Sequence, residues 1–200
     1  ASLVGSEMCI RDRVMSAMLE GMGADAVGAN CSVGPDKLED VVKRLIECSS
    51  VPIIIKPNAG LPTSDGKTTT YGIQPEEFSD IMKKFVSSGV RIVGGCCGTT
   101  PKYISALYNC TADIVPVPIT QKNFTVTASY TKTVKFGNSP ILIGERINPT
   151  GKKRFKQALV ENDMSYILKE GISQQEKGVQ ILDVNVGIPE ICLLYTSPSP

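Results

Sequence analysis

The feature that most constrains the fold is an alternation of short apolar runs with amphipathic segments, from Val14 to Pro118. Pro52–Lys56 (PIIIK) is apolar at nearly every position, whereas Pro35–Cys48 carries its apolar residues at helical spacing. Strands that are buried on both faces of a parallel sheet have continuously apolar sequences. The alternation therefore predicts an α/β protein built from repeated βα units.

The predicted elements follow directly from this alternation. We expect strands over Ala26–Asn30, Pro52–Lys56 and Val90–Gly94, and helices over Pro35–Cys48, Pro75–Ser88 and Pro101–Asn109, after a helix that ends in Val14–Met22. A long loop is predicted after the second strand. The pattern breaks after Cys110, Phe124–Phe136 is typical of an extended hairpin, and the alternation restarts with a strand at Ile141–Gly144, a helix over Lys153–Gly178 and a strand over Gln180–Val184.

Composition excludes several classes of function. The net charge of +1 predicts no nucleic-acid partner, and the apolar runs are far shorter than the ~20 residues that span a bilayer. The sequence contains no histidine, which excludes serine triads, Cys-His proteases and histidine-based metal sites. Seven cysteines without a recognisable secretion signal indicate free thiols in a reducing, cytoplasmic compartment.

Polar side chains follow the predicted strands where each one ends. Cys31, Asn58 and the adjacent pair Cys96-Cys97 all occupy such positions, where the chemistry of parallel α/β folds collects. Three thiols suit zinc, and the glycines around the pair would allow the tight bend that brings both sulfurs to one ion. Spacing alone leaves two other interpretations open, namely buried apolar cysteines and a strained vicinal disulfide.

Five motifs resemble the cobalamin-dependent methionine synthase family. Gly28–Pro35 (GANCSVGP), Ile55–Pro62 (IKPNAGLP) and Gly94–Pro101 (GGCCGTTP) are similar to its homocysteine-binding barrel. Gly144–Lys152 (GERINPTGK) and Leu182–Gly187 (LDVNVG) are similar to the start of its pterin-binding barrel. The resemblance covers nearly all of residues 14–191, and the GGCCG motif is shared with other homocysteine methyltransferases.

The resemblance implies parts of two (β/α)8 TIM barrels, the end of the first (14–118) and the start of the second (124–191), joined by an extended linker (119–123). Segments 1–13 and 192–200 fit neither part and are predicted to be foreign, adaptor-derived sequence, which would make Cys9 and Cys192 irrelevant. A complete barrel takes about 250 residues. We therefore expect the isolated chain to fold poorly and to be inactive.

The resemblance also implies a site and a reaction. Zinc on Cys31, Cys96 and Cys97 would activate homocysteine, which takes a methyl group from cobalamin carried by a separate domain or protein. Methyltetrahydrofolate, bound in the second barrel, would remethylate the cobalamin. Asn148, Asp183 and Asn185 would contact the folate. The alternatives are that Asn148 belongs to a plain turn and that Asp183 caps a helix. No catalytic residue is expected beyond the zinc site.

Asn58 is predicted to contact substrate or metal, with a plain turn residue as the alternative. Two other functions stay open. One is a cobalamin-independent homocysteine methyltransferase that uses betaine or a sulfonium donor, for which a second βα start would be unnecessary. The other is a structural zinc or thiol module without catalysis, which would need a fourth protein ligand.

Overall fold

The computed structural model describes residues 6–66, 68–137 and 139–188, with side chains described from residue 12 onward. The chain forms two compact units, the first ending at Lys135 and the second beginning at Phe136. The Cys9 side chain, Cys192 and the segments 1–5 and 192–200 lie outside the described residues. The foreign origin of the two ends therefore stays a prediction.

The first unit is a mixed α/β structure. Its elements are α1 (Ser6–Gly21), β1 (Val27–Asn30), a 3-10 turn (Pro35–Lys37), α2 (Glu39–Cys48), β2 (Ile53–Lys56), β3 (Pro62–Ser64), β4 (Thr69–Tyr71), α3 (Pro75–Ser88), β5 (Ile92–Val93), α4 (Pro101–Thr111), β6 (Val126–Ala128) and β7 (Thr133–Lys135). The predicted parallel sheet is confirmed, with three strands in the order β1-β2-β5. Because β2 is central, the carboxyl ends of all three strands meet around it.

Local sequence signals explain why α3 has its predicted bounds. Pro75 occupies the first turn, where its missing N–H is no loss. Gly89 ends the helix with φ +129°, and its N–H donates to the carbonyl groups of Phe85 and Val86. Phe78 and Met82, four residues apart, are fully buried, so one face of the helix covers the sheet.

The core of the first unit is one contiguous apolar cluster between the sheet and its helices. Each fully buried large side chain contributes roughly 1.5–3 kcal/mol relative to its exposed state. The cluster comprises Leu38, Val41, Val42, Leu45, Ile53, Ile55, Ala59, Ile73, Phe78, Met82, Phe85, Val90, Tyr103 and Leu107.

Two features of the first unit differ from the sequence-based expectation. The helix α1 begins at Ser6 and continues through Arg13, although the periodicity had suggested no continuation there. Asp12 on this helix accepts a hydrogen bond from Arg44 on α2, at 2.9 Å. The predicted long loop after β2 contains the antiparallel hairpin β3–β4.

The hairpin β6–β7, predicted as extended chain over Phe124–Phe136, is present and lies in the first unit beside α1. Lys135 stacks on the Phe124 ring, with Nζ 4.2 Å from its centroid. In the parts of the chain that the structure describes, no helix combines the length and apolarity that crossing a membrane requires.

The second unit is a single parallel βαβ arrangement. Its elements are β8 (Ile143–Ile147), α5 (Lys153–Val160), α6 (Met164–Glu176) and β9 (Ile181–Val184), with β8 paired to β9. The prediction of one helix over Lys153–Gly178 is wrong, because the chain turns at Asn162 (φ +59°) and Asp163 caps α6 by accepting from the Tyr166 N–H. Neither unit closes into a barrel over its described residues.

Candidate metal centre

The carboxyl ends of β1, β2 and β5 bring the predicted thiols together. Asn30 pairs with Lys56, and Ile55 pairs with Val93, so the residues that follow each strand leave the sheet at the same edge. Backbone hydrogen bonds continue past the strands and fix these loops to one another. The Cys31 N–H donates to the Lys56 carbonyl at 2.9 Å, and the Cys96 N–H donates to the Pro57 carbonyl at 2.8 Å.

The three sulfur atoms form a compact group. Sγ of Cys31 lies 3.7 Å from Sγ of Cys97, which lies 3.9 Å from Sγ of Cys96, and all three fall within 4.8 Å of one another. Tetrahedral zinc with Zn–S bonds of about 2.3 Å requires S···S separations of about 3.8 Å. The donor set therefore fits zinc, and no other such cluster occurs among the described residues.

Cys31 adopts an uncommon backbone conformation. Both Cys31 and Ser32 have φ +65°, in the left-handed region that costs a non-glycine residue roughly 1–2 kcal/mol. This conformation lets the Ser32 N–H donate to the Cys31 sulfur, which lowers the pKa of the Cys31 thiol. Hydrogen bonds from Cys96, Cys97 and Asn58 lower it further.

The neighbouring thiol has the opposite tendency. The pKa of Cys96 is raised, first by its hydrogen-bonding interaction with the Cys31 side chain and second by burial. The metal-free cluster is thus polarised, in that the pKa of Cys31 is lowered and the pKa of Cys96 is raised.

We expect Cys31 to be alkylated before Cys96 in the metal-free chain. A lowered pKa leaves a larger thiolate fraction at a given pH, and the thiolate is the reacting form. Between about pH 7 and 8, iodoacetamide followed by peptide mapping should find Cys31 modified several-fold faster, with the difference shrinking as the pH rises and Cys96 also ionises. Equal rates at pH 7 would contradict this polarisation.

Among the glycines that flank Cys96 and Cys97, Gly98 has a backbone conformation that favours glycine. Gly98 has φ +79° and closes the turn that follows Cys97. On the other side of the turn, the Thr99 hydroxyl and N–H both donate to the Cys96 carbonyl, at 2.6 and 3.2 Å. The turn holds the two adjacent sulfurs on the same side, as the sequence suggested.

Asn58 bridges two of the thiol loops. Its side chain is buried, with 4% of its surface exposed, and Oδ1 accepts from the Cys97 N–H at 3.1 Å. Its backbone N–H donates to the carbonyl of Val33, in the loop that begins at Cys31, at 3.0 Å. The Ala59 N–H donates to the Cys97 carbonyl at 2.9 Å, which strengthens the connection to Cys97. Asn58 therefore connects the loops that carry Cys31 and Cys97.

Sequence reasoning missed Tyr71, the last residue of β4. Its pKa is raised, first by burial and then by the charge and hydrogen bonding of Cys97, with smaller contributions from Cys31 and Cys96. The Tyr71 ring packs against Gly98, the residue that follows Cys97. The sequence does contain one signal for Tyr71. It is an aromatic residue in the otherwise polar loop that follows β2, at the sheet edge where the cysteines lie.

The predicted folate-contacting residues lie in the second unit. The Asn185 N–H donates to the Ile147 carbonyl at 2.8 Å, so Asn148 and Asn185 leave adjacent parallel strands at one edge. Each makes a local turn, with Oδ1 accepting from the Thr150 N–H and the Gly187 N–H, respectively. Asp183 is exposed within β9, not at the start of a helix.

The two other cysteines whose side chains the structure describes, Cys48 and Cys110, lie elsewhere. Cys48 ends α2, and burial raises the pKa of its thiol. The Cys110 thiol donates to the Leu107 carbonyl at 3.3 Å within α4. Neither joins the cluster.

Comparison with known proteins gives matches for both parts of the chain. Residues 10–111 match the model of the homocysteine S-methyltransferase family. Two methionine synthases, from Mycobacterium leprae (strain TN) and Mycobacterium tuberculosis (strain ATCC 25618 / H37Rv), are each 33% identical to the chain over 193 and 189 residues. The alignments cover 92% of the chain but only 16% and 15% of these relatives, so the chain spans about a sixth of their length.

Proposed function

The chain belongs to the homocysteine S-methyltransferase family, an enzymatic family, and from this premise we propose that it activates homocysteine at a zinc ion bound by Cys31, Cys96 and Cys97. In the proposed reaction a methyl group passes from methylcobalamin to the homocysteine sulfur and gives methionine. The cobalamin would be bound by a domain or protein outside this chain and remethylated from methyltetrahydrofolate. The setting would be the reducing cytoplasm.

One observation carries the proposal, the spacing of the three sulfurs. Their separations of 3.7 and 3.9 Å match the edges of a zinc-thiolate tetrahedron. Three protein ligands leave one position for a substrate atom, which is the arrangement of catalytic zinc sites. Cys97 is exposed, so a small thiol can approach the cluster from solvent on that side.

The substrate thiol needs such activation. Homocysteine resembles cysteine, whose thiol has a reference pKa of about 8.5, so little thiolate exists at neutral pH. Bound zinc would supply the Lewis acidity that deprotonates a coordinated thiol. Two contacts of the chain favour this role. The Ser32 N–H lowers the pKa of the Cys31 thiol, and the Cys97 N–H donates to Asn58 Oδ1. Contact between Asn58 and homocysteine itself belongs to the proposal.

We further propose that the chain contains parts of two (β/α)8 barrels. In both parallel sheets, β1-β2-β5 and β8-β9, each strand is paired with the next parallel strand along the chain. Strands of a (β/α)8 barrel are paired in the same way. The proposed boundaries are 14–118, a linker over 119–123, and 124–191. In the second barrel, Asn148, Asp183 and Asn185 would present amide and carboxylate groups to the pterin ring of methyltetrahydrofolate.

Two observations weigh against the alternative functions. A methyltransferase that uses betaine or a sulfonium donor would need one barrel, whereas this chain has a second parallel unit after Phe136. A structural zinc site would have four protein ligands. The cluster found among the described residues has three.

We expect homocysteine to bind the zinc-loaded chain and to release one proton on binding, because its thiol loses a proton at the metal. Calorimetric titration in two buffers of different ionisation enthalpy measures that proton. L-homoserine, which has a hydroxyl in place of the thiol, is the matched control and should bind much more weakly. Equal binding of homocysteine to the zinc-free chain would refute the proposal.

A further inference from the structure

The hairpin β3–β4 contacts the thiol-bearing turn through the side chain of Tyr71. It occupies the loop after β2, with Pro62 paired to Tyr71 at its base. The chain that leaves it is anchored to the core, because the Ile73 N–H donates to the Ala59 carbonyl at 3.0 Å. The buried Tyr103 hydroxyl donates to the Ile73 carbonyl at 2.7 Å. The base of the hairpin is thus fixed relative to the loop that follows β2.

Tyr71 is the hairpin residue that reaches the cluster. Its ring lies so close to the Gly98 backbone that a Cβ atom at Gly98 would overlap the ring carbons. Gly98 also has φ +79°, a conformation that side chains rarely adopt. Only glycine therefore lets the Tyr71 ring pack against the turn that directly follows Cys97.

We propose that Tyr71 is a positioning residue of the metal site, whose hydroxyl donates a hydrogen bond to the Cys97 sulfur when that sulfur binds zinc. This inference rests on the proposed zinc site. A phenol with a reference pKa of about 10 is a proton donor at neutral pH, and a metal-bound thiolate is an acceptor. The bond would hold Cys97 in the ligating orientation and withdraw negative charge from its sulfur.

The size of the expected change in zinc affinity can be estimated from metal sites in other proteins. Residues that hydrogen-bond a metal ligand usually change metal affinity by 10–100-fold when they are replaced. Cys97 is the most exposed of the three ligands. We therefore expect Tyr71→Phe, which keeps the ring and removes the hydroxyl, to weaken zinc binding by about tenfold.

The test measures zinc affinity of the full chain by competition with a chelating dye, for the wild type, Tyr71→Phe and Tyr130→Phe. Tyr130 is 87% exposed and lies in the turn between β6 and β7, so its variant is a matched control and should bind zinc like the wild type. A second readout is the thiolate-to-metal absorption band of the chain saturated with Co²⁺. Loss of a hydrogen bond to the thiolate should shift this band to longer wavelength in Tyr71→Phe alone.

The outcomes separate this inference from the proposed function. Weaker zinc binding together with a shifted band supports the role of Tyr71. Unchanged affinity and an unchanged band in Tyr71→Phe overturn it and leave the zinc site standing. Weaker binding without a band shift also overturns it, because the phenol would then act through folding alone. A wild-type chain that is folded by circular dichroism and still binds no zinc refutes the proposed function and this inference together.

Discussion

Replacing Cys96 by serine is expected to reduce zinc affinity by more than 100-fold. Structural zinc sites bind with roughly 10–16 kcal/mol, so one of three thiolate ligands accounts for about 3 kcal/mol or more. Each 1.4 kcal/mol is a factor of ten in affinity. Serine keeps the size of the side chain but is a poor zinc ligand, so the loss reports coordination. Competition titration and elemental analysis of the purified chain measure it.

Cys110→Ser is the matched control for this substitution. Cys110 is half-buried in α4, and a serine hydroxyl can keep the hydrogen bond to the Leu107 carbonyl. Its zinc content should equal that of the wild type. If Cys96→Ser also retained full zinc content, the metal would have to be bound elsewhere in the chain.

Replacing Gly28 by valine is expected to be the most damaging change outside the cluster. A Cβ atom at Gly28 would fall on the Ile54 backbone, so β1 has to move away from β2. Such overpacking costs about 3 kcal/mol at the upper end of the usual range. Because zinc binding is coupled to the fold that places Cys31, that loss corresponds to about a 100-fold weaker affinity.

Gly21→Ala controls for the general effect of adding a methyl group. Gly21 ends α1, and an added Cβ meets nothing within 4 Å. Zinc titration of both variants, with circular dichroism at each metal concentration, compares them. Wild-type affinity in Gly28→Val would mean that the spacing of β1 and β2 does not set the position of Cys31.

The thiol site could be predicted because its determinants are local. Each strand is short and apolar, and each functional residue directly follows one, so parallel pairing alone brings Cys31, Asn58 and Cys96 to one edge. The helix α3 was predicted with its correct bounds because Pro75 and Gly89 mark its two ends.

The parts that could not be predicted depend on tertiary contacts. The strands β3 and β4 lie in a segment rich in Thr, Ser, Gly and Asp, which gives no periodic signal, so the position of Tyr71 was missed. The break between α5 and α6 depends on a single left-handed residue, Asn162, inside an otherwise helical pattern. The role of Asn58 as a bridge requires knowing that Cys97 is its neighbour.

The most direct measurement of the central claim is X-ray absorption spectroscopy of the zinc-loaded chain, before and after homocysteine is added. The account predicts three sulfur neighbours at about 2.3 Å in the first state and four in the second, with one sulfur fewer in Cys96→Ser. A zinc environment dominated by oxygen or nitrogen, or a sulfur count that does not rise with homocysteine, would contradict it.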